Sequence, residues 1–121
     1  MINNKYLKSY EVLWLEHMLQ REFPLKERFV SEINAAKISR EQTDYYISIN
    51  FYGLEDCQPL KVSETVPIEM IVHREHLAPM IFLLHIRKEH IAELEVLNAD
   101  SSQLDLALPI TDFNKKVIYR F

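Results

Sequence analysis

A single glycine, Gly53, in a chain of 121 residues removes whole classes of chemistry. Phosphate loops, dinucleotide-binding turns and nucleophile elbows need several glycines, because their backbones approach a ligand closely or turn through positive φ. The one cysteine, Cys57, excludes an internal disulfide, and its neighbours Glu55 and Asp56 disfavour a thiolate, so it is not read as a nucleophile. Basic residues never run longer than a dipeptide such as Lys115–Lys116, and the formal net charge is −4, which removes the electrostatic footprint of a nucleic-acid binder. Apolar runs such as Pro79 to Leu84 fall far short of the roughly 20 residues that span a bilayer. Met1 to Lys5 lacks the apolar core of a signal peptide, so the reading expects a cytoplasmic protein with no membrane partner.

What is present is ordinary globular material, 48% hydrophobic and 26% charged, enough for one domain over residues 1–121 with its own core. From Ser9 to Phe23, Val12, Leu15, Met18, Leu19 and Phe23 recur at helical spacing, with Ser9 as N-cap and Glu11 in the first turn. Tyr10 and Trp14 widen that stripe and read as core. Leu25, Phe29, Ile33 and Ala36 mark a second helix, carried through to Lys37 and Arg40 as cations suited to a helix C-terminus.

After Asp44 the period changes to two, with Tyr45, Ile47, Ile49 and Phe51 alternating against Tyr46, Ser48, Asn50 and Tyr52, which is a strand. Gly53 to Pro59 reads as a loop, and Leu60 to His73 as extended, with Pro67 marking a bulge, an edge or a strand start. Met80 to Arg87 and Ile91 to Leu97 form a hairpin. A two-residue loop at Lys88–Glu89 would set Leu84 against Glu93, whereas a three-residue loop, Lys88-Glu89-His90, pairs Leu84 with Leu94, Phe82 with Val96 and Ile86 with Ala92, leaving His85 opposite Glu93. The second register is preferred. Asn98 to Ser102 is a loop, Leu104 to Ile110 alternates like a strand, and Val117 to Phe121 could add a last one. The expected fold is α+β, two N-terminal helices packed on one face of a mostly antiparallel sheet of four or five strands.

Candidate chemistry lies mainly in histidines and carboxylates. His73 and His76, with Arg74 and Glu75 between them, bring two imidazoles close in sequence, and His85, Glu69 and Glu93 could complete a metal site or an acid–base pair. A strand-end pair lacks the one-face geometry that helical spacing gives, so neither a metal nor any other cofactor is assigned, and no catalytic residue is named. His85 and Glu93 read more simply as a cross-strand ion pair. The sheet face carrying His85, Arg87, Glu93 and Glu95, with Leu83, Ile91 and Leu97 and with Glu69 and His73 as further members, is the candidate docking surface for a protein partner.

The helix Tyr10-Glu11-Val12-Leu13-Trp14-Leu15, the run Phe82-Leu83-Leu84-His85-Ile86-Arg87 and the segment from Ala92 to Ser102 carry a resemblance over about half of the chain. In them the chain resembles a family of small bacterial α+β domains of unknown function, some associated with toxin–immunity loci. The resemblance implies an interaction role and supplies no functional residue. Where a glycine-containing hairpin turn is expected, this chain has Lys88-Glu89-His90. The expected function is a bacterial protein-binding module of the immunity type, with a protein partner such as a toxin and room for a homo-oligomer. The alternative is a small enzyme or metal-binding protein using His73, His76 and His85 with Glu69 or Glu93.

Overall fold

In the computed structural model, which describes residues 1–106 and 110–121, the chain has two helices and a six-stranded antiparallel sheet, an α+β fold. The elements are α1 (Ser9–Met18), α2 (Lys26–Ala35), β1 (Lys37–Gln42), β2 (Tyr46–Tyr52), β3 (Ile68–Arg74), β4 (Leu77–Arg87), β5 (His90–Asn98) and β6 (Asn114–Tyr119), with a 3-10 turn at Ile110–Asp112. The sheet order is β1-β2-β5-β4-β3-β6. Among the described residues no helix is long and apolar enough to cross a membrane.

The sheet has six strands rather than the expected four or five, and β1 occupies residues read as the end of the second helix. α2 stops at Ala35, and Ala36 already has extended backbone at φ −69° and ψ 148°. β1 hid because Lys37-Ile38-Ser39-Arg40-Glu41-Gln42 has one aliphatic side chain and pairs with β2 alone. Edge strands tolerate and benefit from charge, so the apolar alternation that betrays an inner strand is missing. α1 also ends early, at Met18. Phe23 joins an aromatic cluster instead, stacked on Tyr119 at 5.0 Å and on Phe121 at 5.3 Å and set edge-on to Phe29 at 5.5 Å.

β3 opens directly after Pro67, whose missing N–H suits a strand start. The stretch before it is not a strand, and Leu60 donates its N–H to the Glu89 carbonyl at 2.7 Å, tying that stretch to the β4–β5 turn. β6 begins at Asn114 rather than Val117. Of the alternating run expected from Leu104 to Ile110, the first residues through Leu106 are not strand and Ile110 enters the 3-10 turn, while Leu108 lies outside the described residues.

The β4–β5 hairpin keeps the preferred pairing over most of its length, with Phe82 opposite Val96, Leu84 opposite Leu94 and His85 opposite Glu93. Its loop, however, is the two-residue one. Ile86 pairs with Ile91 rather than Ala92, and Arg87 pairs with His90. Ala92 is therefore a β-bulge, and that extra residue restores the register that a two-residue loop would otherwise spoil. The bulge turns Ile91, expected on the outer face, into the core at 1% exposure. Lys88 and Glu89 bridge the strands at φ 52° and 64°, conformations that cost a residue with a Cβ about 1 kcal/mol each. Glu89→Gly is accordingly expected to stabilise the fold by about 1 kcal/mol; a urea midpoint at or below wild type would contradict that strain.

Alternate strand residues Ile47, Ile49, Ile68, Met70, Phe82, Leu84, Leu94 and Val96 are all buried and form the centre of the core. Trp14 of α1, expected as core, is buried and meets the Phe82 ring edge-on at 5.2 Å. The Tyr119 hydroxyl donates to the Met18 carbonyl at 2.7 Å, linking the last strand to the end of α1. Glu11 of α1 and Glu32 of α2 are both buried carboxylates, and each is fully engaged, Glu11 with Arg40 of β1 and Glu32 with His90 and the Ile91 N–H of β5.

Candidate functional site

The other set of alternating residues makes the second face of the sheet. Register across the strands places Ile71, Ile81, Leu97 and Tyr46 in one row and Glu69, Leu83, Glu95 and Ser48 in the next. A third row holds His85, Glu93 and Asn50. Pairwise alternation is the reason these side chains share a face, since residues two apart on a strand point the same way. Ile71, Ile81 and Leu97 are half-buried and share the first row, and Leu83, also half-buried, lies between Glu69 and Glu95 in the next.

The four residues singled out from the sequence come together here, in a network different from the expected one. His85 sits opposite Glu93, but its Nε2 is 2.9 Å from Oε1 of Glu95, the diagonal neighbour. Arg87 reaches along the same diagonal and donates to Glu93 Oε1 at 2.6 Å. The expected His85–Glu93 ion pair is thus replaced by two parallel diagonal pairs, His85–Glu95 and Arg87–Glu93. Two residues of β2, missed by the sequence reading, complete the arrangement: Ser48 Oγ donates to Glu93 Oε2 at 2.5 Å and the Tyr46 hydroxyl donates to the same oxygen at 3.2 Å. The polar half of the β2 alternation, Tyr46, Ser48 and Asn50, was the signal that could have found them.

Glu93 is the hub, and its side chain is only 10% exposed. Burial alone pushes its carboxyl up, but hydrogen bonds from Ser48 and Arg87 and the charges of His85 and Arg87 outweigh that, holding it below the ordinary 4.5. Burial pushes the Tyr46 phenol up, and the Glu93 and Glu95 carboxylates add to it, so the hydroxyl stays a donor. A folded carboxyl that binds its proton less readily than the unfolded one stabilises the fold above its unfolded value, and that contribution disappears as pH falls through the folded value. Glu93→Gln is therefore expected to cost about 1.5 to 3 kcal/mol near neutrality, the worth of hydrogen bonds to a charged group, with the difference from wild type closing in acid. Urea midpoints of both proteins across that range check it; a difference constant with pH would contradict the charge-based origin.

Of the alternative reading, His85 and Glu93 are neighbours, but the three histidines are not brought together. Ile68 faces Leu84, so His85 lies at the opposite end of β3 from His73, roughly 20 Å along the strand direction. His76 is in the β3–β4 turn at φ 63°, exposed, with Glu75 at 3.3 Å, and Glu69 faces Arg120 at 3.9 Å. Among the described residues no group of three or more His, Cys, Asp or Glu side chains could hold a metal ion. Two concavities adjoin the sheet. One of about 290 Å³ is lined by His17, Arg21 and Lys115, where burial and then the Lys115 charge lower the His17 imidazole; the other, of about 190 Å³, sits beside the β4–β5 turn.

Comparison with protein-family models, with curated proteins and with solved structures finds no match to this chain.

Proposed function

We propose that this chain is a bacterial, cytoplasmic protein-binding module whose sheet face carrying His85, Arg87, Glu93 and Glu95 covers the surface of a partner protein, in the manner of an immunity protein that blocks a toxin. In this reading the two helices cover one face of the sheet and the other is left for the partner. The observation that carries the reading is the network of diagonal ion pairs on an open face. Charged side chains are already fixed by His85–Glu95, Arg87–Glu93 and the Ser48 and Tyr46 hydroxyls, beside an aliphatic patch of Ile81, Leu83 and Leu97. A mixed surface of this kind resembles an interface in composition, and side chains ordered in advance lose less entropy on association.

Glu95 is the residue that would meet the partner's charge. Its Oε1 is taken by His85, and its side chain stays 26% exposed, whereas Glu93 is spent on internal bonds. Glu95→Lys is expected to slow association with a basic partner several-fold and to flatten its salt dependence while leaving the melting temperature near wild type. The partner is first recovered by affinity capture, and rates are then compared across ionic strength. Unchanged rates in a folded variant would move the site to the loops around Asp56 and Asp100.

A further inference from the structure

We propose that the cleft beside the β4–β5 turn binds a phosphate group, held by His90 Nε2 and Lys88. It uses residues outside the His85–Glu95 and Arg87–Glu93 pairs and stands apart from the partner-binding reading.

Glu32 is buried, and it spends both carboxylate oxygens on one short piece of β5. Oε2 lies 2.7 Å from His90 Nδ1, and Oε1 accepts the Ile91 N–H at 2.9 Å. A carboxylate is an acceptor, so the proton of that ring contact sits on Nδ1. The imidazole is thereby fixed in orientation and Nε2 is left over. Among the described residues Nε2 has no hydrogen-bond partner, and it is not one of the sealed, unpaired atoms. An imidazole positioned through one nitrogen by a buried carboxylate, with the second nitrogen open, is how proteins prepare a histidine to meet a ligand.

His90 lines the cleft of about 190 Å³ together with Tyr52, Glu55, Arg87 and Lys88. Arg87 is engaged with Glu93, but the Lys88 ammonium makes no ion pair or hydrogen bond among the described residues. Lys88 also occupies a turn position at φ 52° where glycine or asparagine would be relaxed, next to Glu89 at φ 64° and the Ala92 bulge. Strain and bulges of this kind gather at ligand sites, where they aim a side chain. Phosphate suits the two groups in either protonation state of the ring. A charged imidazole donates from Nε2 to a phosphate oxygen, and a neutral one accepts from P–O–H, while Lys88 meets the negative charge in both cases. Sulfate at neutral pH carries no proton to offer.

The test follows the histidine ring nitrogens of the full chain by NMR during titration with inorganic phosphate, with sulfate at matched ionic strength as the comparison. His90 Nε2 is expected to shift saturably with phosphate, and more weakly with sulfate. Lys88→Gly is expected to weaken phosphate binding about tenfold, the effect of losing one charge-assisted contact, while its melting temperature rises because glycine relieves the positive φ. That opposition separates lost binding from lost folding. Phenyl phosphate in place of phosphate identifies the natural source: tighter binding indicates a phosphomonoester seated beside Tyr52, and weaker binding the free ion. No saturable shift at His90, or a Lys88→Gly protein that titrates like wild type, would overturn the proposal.

Discussion

Glu11→Ala is expected to destabilise the fold by about 3 to 5 kcal/mol, the cost of leaving a buried guanidinium–carboxylate pair half made. Glu11 has no exposed surface, and Arg40 reaches it with two bonds, Nε to Oε2 at 2.8 Å and Nη2 to Oε1 at 2.5 Å. Oε1 also accepts the Lys8 backbone N–H at 2.7 Å, so one side chain ties the start of α1 to the edge strand β1. Donation to the Glu11 carboxylate, opposed by burial and reinforced by the carboxylate's charge, raises the Arg40 guanidinium further above its ordinary value. Replacing both partners together, Glu11→Leu with Arg40→Met, is expected to recover most of the loss, because no half-buried guanidinium is then left without its carboxylate. Urea unfolding of the two single variants and the double variant reads the coupling. A double variant as unstable as the sum of the singles would show that the pair is not the source.

Phe82→Ala is expected to cost about 3 to 5 kcal/mol through the lost transfer free energy and the cavity left behind. The ring is fully buried at the centre of β4, opposite Met70 of β3 and Val96 of β5, with Trp14 against it. Loss of the Trp14 contact should also shift the fluorescence of the only tryptophan, so thermal melting and emission report on the same site. A variant that melts within a few degrees of wild type would place the core elsewhere.

Much of this arrangement was legible in the chain because inner strands write their burial as alternation. Leu84 against Leu94 and Phe82 against Val96 followed from keeping apolar residues opposite one another, and the structure has both pairs. The same rule failed at the turn, since a bulge at Ala92 changes the register without changing composition, and it misplaced Ile91 as a result. β1 was missed for the opposite reason. Its inward-facing residue Arg40 is satisfied by Glu11, which lies 29 positions away, so a half-buried position carries a charged letter. Of the candidate site, the shared face of His85, Arg87, Glu93 and Glu95 came from period two, but which carboxylate each cation takes depends on diagonal reach between strands. Ser48 and Tyr46 enter only because β2 lies beside β5, a pairing between distant segments that local pattern does not encode. The Glu32–His90 contact is equally non-local, joining a helix to a turn 58 residues on.

The most direct test of the proposed function is covalent footprinting of the full chain alone and in complex with its captured partner. Histidine and carboxyl labelling read His85 and Glu95 on the sheet face, and Asp56, His76 and Asp100 in the loops. Engagement through the face predicts strong protection of His85 and Glu95 in the complex, with Asp56, His76 and Asp100 labelled as in the free chain. Protection at Asp56 or Asp100 with His85 and Glu95 unchanged would contradict it.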